Sequence, residues 1–393
     1  MASFDPFRPR AKTQADEETY LRELLADLGA QAGAYRYEVA PNPCVGAAVL
    51  SDGVEIGRGF HRAWGGPHAE VQALRAAEAS GLDRSLWDTL GCTLEPCSTT
   101  GKTGPCVDAV VASGVRRVVV GEVDPDPRHR GRGLELLRER GLEVVHLHQA
   151  SPLHRVAPYF LAWNEPDRLR RPRPWILAKW AQTRTGQLTP PEDVGEGRWI
   201  SSLGALEDVH WLRSHVDAIV TGVGTVLSDD PRLTVRGAPA ELCERPPLRV
   251  VLDSDLRLPL GARLFEPEQE GERAGELHVF TRTGADPAWR RRVSETGAVV
   301  HAERPGDDGR PSPRAILDTL HGMGVRRVLL EAGPRLLESW FEKRLIDQVR
   351  VYTGNINGGR GPNLGEYLDP RRLIEMQHSE VGDDARLDAF LPR

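Results

Sequence analysis

Cysteine is scarce in this chain. Its 393 residues hold five: Cys44, Cys92, Cys97, Cys106 and Cys243. So odd and sparse a set excludes a disulfide framework and predicts reduced thiols in a cytoplasmic setting. No run approaches the ~20 apolar residues that span a bilayer, so no membrane partner is expected. The segment Met1 to Arg10 lacks an apolar stretch, and no signal peptide is predicted there. A basic excess is missing too. The net charge of −6 argues against nucleic acid as a bulk partner. The cluster Arg168-Leu169-Arg170-Arg171 reads as solvated linker. No G-x-G-x-x-G joins a strand to a helix, so the Rossmann fingerprint is absent.

What is present is alternation. Hydrophobic residues make up 39% and charged residues 27%, which suits a globular chain long enough for two domains. Tyr20, Leu21, Leu24, Leu25 and Leu28 recur at helical spacing over 16–32. The apolar runs 44–50 and 54–60 flank Asp52-Gly53 and predict a β-hairpin. Helices are expected over 69–79, 106–113 and 134–140, and strands over 89–94, 117–121 and 142–147. That order predicts an α/β layered sheet. Five prolines (Pro152, Pro158, Pro166, Pro172 and Pro174) mark 151–174 as a linker between domains at 1–150 and 175–393. In the second domain, 175–181, 217–222, 249–252 and 326–330 read as strands and 335–344 as a helix. The acidic stretch 266–275 reads as an exposed loop.

Three short motifs carry chemistry: Pro67-His68-Ala69-Glu70, Glu95-Pro96-Cys97 and Pro105-Cys106. One imidazole and two thiolates fill three positions of a tetrahedral Zn²⁺ and leave the fourth open for water. Glu70 can then shuttle protons as general acid and base without being a ligand. A histidine, a glutamate two residues on and a later P-C-x-x-C form the signature of nucleobase deaminases. The usual C-x-x-C is replaced here by two cysteines with eight residues between them. A closed structural site that recruits Cys92 or Cys44 is the alternative. His68 and Cys106 are both expected at helix N-termini, whose dipoles favour thiolates.

These motifs resemble the bifunctional deaminase/reductase family of riboflavin biosynthesis, over nearly the whole chain. Pro41-Asn42-Pro43-Cys44-Val45-Gly46, Gly66-Pro67-His68-Ala69-Glu70 and the long loop from Thr93 to Cys106 resemble its deaminase half. Arg173-Pro174-Trp175 with Lys179, the run from Gly222 to Arg236 and Glu331-Ala332-Gly333-Pro334 resemble its reductase half. The resemblance implies a cytidine-deaminase-like three-layer domain followed by a dihydrofolate-reductase-like domain. It implies Zn²⁺ and NADPH as cofactors, and small phosphoribosylaminopyrimidines as substrates of a homo-oligomer. It further implies that Asn42, His61 and Lys102 bind the deaminase substrate. Arg213, Arg236 and Glu331 would face the reductase substrate. Ala181, Trp199, Thr225, Asp229, Leu233 and Ser254 would lie near the nicotinamide cofactor. Gly333 and Pro334, at a strand-to-helix turn, would present backbone N–H groups to its pyrophosphate.

Blander readings stand beside these. Asn42 and Asp229-Asp230 sit beside prolines and suit turns. Lys102 suits a solvated loop, and Arg213 and Arg236 suit surface ion pairs. His61 is a lone histidine after a strand. The chain departs from the family at Thr99, Gly104, Thr185 and Gly197, where a histidine, a proline, an aspartate and a serine are usual. The change at Thr185 keeps a second reading open, a deaminase with a degenerate reductase-like domain used for binding or dimerisation. A nucleic-acid base deaminase is a third, opposed by the acidic charge and the missing C-x-x-C.

Overall fold

The computed structural model describes residues 13–100, 104–192, 200–237, 245–306 and 308–392. Lys102, Gly197, Trp199 and Cys243 therefore lie outside the described residues. The chain forms two compact units, divided between Arg170 and Arg171.

In the first unit the helices are α1 (Gln14–Ala32), α2 (Arg36–Val39), α3 (Ala69–Ala79), α4 (Cys106–Ser113), α5 (Arg132–Glu139), α6 (Leu153–Val156), α7 (Pro158–Trp163) and α8 (Pro166–Arg170). The strands β1 (Gly46–Ser51), β2 (Val54–Phe60), β3 (Thr89–Cys92), β4 (Arg117–Val120) and β5 (Glu143–His146) pair in the order β2-β1-β3-β4-β5. β1 runs antiparallel to both neighbours, whereas β3, β4 and β5 run parallel. Thr13 starts α1 with a capping box, its hydroxyl accepting from Asp16 N–H and Asp16 accepting from Thr13 N–H, both at 3.1 Å. Side-chain alternation builds three layers. Ala47 and Val49 of β1 face a core shared with α3, α4 and α5. On the opposite face Gly91 of β3 lies under Leu24 and Leu25 of α1.

The seam between α3 and β2 has no side-chain cushion. A Cβ on Gly59 would lie 2.2 Å from Ala73 N, and one on Gly57 would lie 2.4 Å from Ala77 N. Gly57 and Gly59 share a strand face, and Ala69, Ala73 and Ala77 share a helix face. The helix that carries His68 at its start and Glu70 in its first turn therefore rests directly on the strand backbone.

The stretch expected as a linker is folded instead. Leu153, Ala157, Tyr159 and Phe160 are buried, and the Tyr159 hydroxyl donates to Asn42 O at 2.7 Å. Its prolines start α7 and α8 at the first helical position, where the missing N–H costs nothing.

The second unit holds helices α9 (Leu203–Ser214), α10 (Val223–Asp229), α11 (Pro287–Glu295), α12 (Pro313–Gly322) and α13 (Pro334–Glu342). Its main strands are β6 (Trp175–Gln182), β8 (Ala218–Gly222), β10 (Leu248–Leu252), β12 (Leu277–Arg282), β13 (Val299–Glu303), β14 (Arg327–Glu331), β15 (Gln348–Thr353), β17 (Ile374–Val381) and β18 (Asp384–Phe390). They pair in the order β13-β12-β10-β8-β14-β6-β15-β18-β17. β17 and β18 add antiparallel strands to an otherwise parallel sheet. Two ribbons complete the unit, β7 (Gln187–Thr189) with β16 (Arg360–Asn363), and β9 (Val235–Arg236) with β11 (Glu272–Arg273).

Both faces of this sheet are covered, so its central strands read as continuous apolar runs. Ile176, Ala178 and Trp180 join the core under α12 and α13, while Leu177 joins the core under α9, α10 and α11. The acidic stretch expected as an exposed loop is partly buried. Glu272 accepts from Arg232 at 2.9 Å, both side chains at most 4% exposed, and pairs with Arg236 at 2.9 Å. A guanidinium as buried as that of Arg232 requires a carboxylate beside it, which composition alone does not reveal.

Candidate active sites

The first candidate site is built by two helix starts and a loop. His68 is the N-cap of α3, Cys106 is the first residue of α4, and Cys97 lies in the loop after β3. His68 Nδ1 lies 3.5 Å from Cys97 Sγ and 3.2 Å from Cys106 Sγ, and Cys106 N–H donates to Cys97 Sγ at 3.3 Å. All three ligand atoms fall within 4.8 Å of one another.

The donor set fits zinc. Cys97 is pushed down to about 4 by the hydrogen bond from Cys106 and by His68, against the cost of burial. Cys106 is pushed up by that same bond to Cys97 and by burial. Within the pair Cys97 is therefore the sulfur that ionises first. The closed alternative fails, because Cys92 and Cys44 stand apart from this group. Cys92 is fully buried in β3, where burial and Glu70 keep its thiol protonated. Cys44 lies 3.4 Å from the Tyr159 hydroxyl.

Glu70 is 3% exposed. Burial raises its carboxyl above the ordinary 4.5, with Cys97 adding to the rise and His68 opposing it. His61 and Asn42 come together beside His68. The His61 ring lies 5.1 Å from that of His68, edge to face. Its Nδ1 is 3.2 Å from Pro67 O, and a carbonyl can only accept, so Nδ1 carries the proton. In the neutral ring Nε2 then accepts from Asn42 Nδ2 at 3.3 Å, which fixes the amide's orientation. Tyr159, holding the Asn42 carbonyl, was not readable from sequence, since its partner is 117 residues away.

The second candidate site lies at the C-terminal edge of the parallel strands. Glu331 ends β14, and its register partner on β6 is Lys179. Arg213 of α9 donates to Glu331 Oε1 at 2.7 Å and Oε2 at 3.0 Å, and to Thr234 O at 2.9 Å. Burial alone would raise the Glu331 carboxyl, but Arg213 and Lys179 hold it at about 2. Burial lowers Lys179. Burial, with Arg213 and Arg236, holds His210 at about 4, so its ring is neutral. Lys179 and Arg213 both act on Glu331, while Arg236 pairs with the buried Glu272. Among the described residues His210 Nδ1 is buried without a partner, an atom a ligand could satisfy. Sequence reading missed His210 and used Lys179 only as part of a motif.

Ala181 lies near the end of β6, Thr225 in α10 after β8, Ser254 just beyond β10, and Gly333 just beyond β14. Those four strands are neighbours. After β8 the chain moves outward to β10, and after β14 it crosses to β15. Open α/β sheets bind ligands at such a switch point. Gly224 and Gly333 leave room there, a Cβ on Gly333 meeting only Thr225 Oγ1 at 3.8 Å. This open glycine edge fits a dinucleotide. The expected N–H donors need correction. Pro334 has no N–H, and Gly333 N–H donates to Thr225 Oγ1 at 3.1 Å. That acceptance leaves the Thr225 hydroxyl proton to donate outward. Asp229 ends α10, and Asp230 serves as its left-handed C-cap with φ 41°, so the turn reading holds for Asp230. Leu233 also has a positive φ, 53°, and its side chain joins the apolar core. Arg213 and Arg236 do form ion pairs, but with Glu331 and the buried Glu272. Thr185, where the family has aspartate, bonds to Thr183 Oγ1 at 3.1 Å within the turn after β6 and donates to Gly358 O, just before β16, at 3.0 Å.

Comparisons with known proteins match both units. Residues 22–122 match the cytidine and deoxycytidylate deaminase zinc-binding region, and residues 174–387 match the RibD C-terminal domain. Riboflavin biosynthesis protein RibD of Aquifex aeolicus is 35% identical over 329 residues, 83% of this chain and 84% of that protein. The Escherichia coli protein of the same name is 36% identical over 328 residues, 81% of this chain and 83% of that one. Among solved structures, Acinetobacter baumannii RibD superposes with a TM-score of 0.63 at 28% identity, covering 97% of this chain and all of the other. A diaminohydroxyphosphoribosylaminopyrimidine deaminase/5-amino-6-(5-phosphoribosylamino)uracil reductase of Thermotoga maritima gives 0.62 at 29% identity, covering 95% and 99%. A zinc-type deaminase unit and a reductase unit on one chain, matched along most of their length by these relatives, establish that the protein belongs to the RibD family of riboflavin biosynthesis enzymes.

Proposed function

We propose that the first unit hydrolytically deaminates 2,5-diamino-6-(5-phosphoribosylamino)pyrimidin-4(3H)-one. The second unit then reduces the product, 5-amino-6-(5-phosphoribosylamino)uracil, to its ribitylamino form with NADPH. The observation that carries the reading is the convergence of His68, Cys97 and Cys106 beside the buried Glu70. Zinc held by those three residues supplies Lewis acidity that makes water nucleophilic near neutral pH. Glu70 takes the proton as water oxygen bonds to the amino-bearing ring carbon. It delivers that proton to the ring nitrogen, then passes the new hydroxyl's proton to the amino group, which leaves as ammonia as the carbonyl forms. Asn42, oriented by His61, hydrogen-bonds the pyrimidine edge, and Lys102 binds the phosphate.

In the second unit Arg213, Arg236 and Lys179 hold the substrate phosphate, and Glu331 keeps Arg213 in place. NADPH held there would supply a hydride, which with a proton from solvent opens the ribosyl ring to the ribityl chain and leaves NADP⁺. Thr225, with Ala181, Trp199, Asp229, Leu233, Ser254, Gly333 and Pro334, forms the cofactor side. A reducing cytoplasmic setting belongs to the same reading, since it keeps Cys97 and Cys106 free for metal. So does a homo-oligomer, which the edge strand β17 with Ile374 and Met376 exposed would suit.

Incubating the purified chain with the diaminopyrimidine phosphate, with and without NADPH, tests the proposal. Ammonia is expected in both arms and nicotinamide oxidation only after deamination. No ammonia refutes the first assignment. Ammonia without nicotinamide oxidation refutes the second.

A further inference from the structure

A second cluster of metal-ligating side chains lies outside the deaminase site. Glu122, His146 and His148 each bring one ligand atom within 4.8 Å of the others. The topology explains their meeting. His146 is the last residue of β5, and His148 follows at the next same-face position. Leu147 between them is buried, and its N–H extends the ladder to Val120 O at 2.9 Å, so both histidines are left on the solvent side. The parallel register ends with Val120 opposite His146, and Glu122 and His148 each lie two residues further along. The two imidazole rings stand edge to face, 5.6 Å between centroids. The His148 carbonyl is anchored by Arg22 Nη1 at 3.1 Å. Among the described residues none of the three side chains is engaged in a hydrogen bond or ion pair.

We propose that Glu122, His146 and His148 bind a second divalent transition-metal ion of the zinc class. Two imidazoles and one carboxylate suit Zn²⁺ and disfavour Mg²⁺ or Ca²⁺, which take oxygen donors. Water completes the shell, since both histidines are exposed. The ion ties the end of β5 to the segment after β4. The Glu122 carbonyl accepts from Glu95 N–H at 2.9 Å, and Glu95 lies two residues before Cys97. The second ion therefore braces the base of the loop that carries a deaminase ligand.

Cobalt separates the two sites. A Co²⁺ ion on Cys97 and Cys106 shows sulfur-to-metal charge transfer in the near ultraviolet, and one on Glu122, His146 and His148 shows only ligand-field bands. Titration of the metal-free full-length chain is expected to give two equivalents, one of each spectral type, with metal analysis after dialysis confirming the count for Zn²⁺. The double variant H146A/H148A is expected to keep the charge-transfer equivalent and lose the other. E122Q is expected to weaken the second equivalent by more than the about 10–100-fold that loss of a supporting partner costs. Uptake of a single equivalent by the unaltered chain overturns the proposal, as does a second equivalent that persists in H146A/H148A. Either outcome leaves the deaminase assignment untouched, because the charge-transfer signal reports that site separately.

Discussion

Replacing Glu331 by glutamine removes the carboxylate that accepts from Arg213 and acts on Lys179. The isosteric amide keeps the volume, so the change is electrostatic. The folded carboxyl sits at about 2 against an ordinary 4.5. At ~1.4 kcal/mol per pKa unit, that difference corresponds to about 3 kcal/mol. The Arg213 and Glu331 side chains are only 14% and 13% exposed, so solvent screening takes little from this figure. Breaking a buried pair from one side costs about 3–5 kcal/mol, which agrees. The sign follows from the depressed pKa. The stabilisation is complete above 4.5 and is lost as pH falls toward 2, because protonation then removes the same charge that the mutation removes. Urea unfolding followed by hydrogen exchange of β14 amides, at pH 7 and again at pH 3.5, measures both. E331Q is expected to lose about 3 kcal/mol at pH 7 and visibly less at pH 3.5. A loss under about 0.5 kcal/mol at pH 7, or a gap that does not narrow in acid, would refute the electrostatic reasoning.

Other perturbations probe the first unit. E70Q is expected to keep its zinc, by metal analysis, while ammonia release falls by about 10²–10⁴, the usual worth of a general acid-base group. G59A drives a methyl into the α3 backbone, so calorimetry should show a loss of about 1–3 kcal/mol. Displacing His68 and Glu70 together, it should also lower deaminase kcat, by ~10²-fold if the shift reaches 1 Å. Y159F removes the bond to the Asn42 carbonyl and should cost about 1 kcal/mol by denaturant titration, with deaminase KM rising more than kcat falls.

The meeting of His68, Cys97 and Cys106 was readable in the sequence because a metal would demand such donors, and each of the three follows a proline at a chain turn. The α3 boundaries were readable for a related reason, since Ala69 to Ala79 combines helix propensity with a proline start. The linker was misread because proline density signals either a break or a helix start, and only the burial of Tyr159 and Phe160 distinguishes them. Glu272 was misread because an acidic run looks solvated until its buried arginine partner, 40 residues away, is known. His210 and the pair His146 and His148 left no motif, because their neighbours come from other strands and helices. The Gly333 N–H reading failed on a single competing hydroxyl, that of Thr225.

The bare backbone contact between β2 and α3 also bears on how the enzyme could be made more heat-tolerant. Exchanging glycine for alanine stiffens the unfolded chain and commonly gains about 0.4–1 kcal/mol where the backbone allows it. Gly57 and Gly59 do not have the positive φ that would rule them out on backbone grounds, yet both are closed to that route by the helix lying on them. Gly261 and Gly322, with no atom within 4 Å of a new methyl and no positive φ, are open to it. The freedom to harden this protein therefore lies away from the strand that seats the helix of His68 and Glu70.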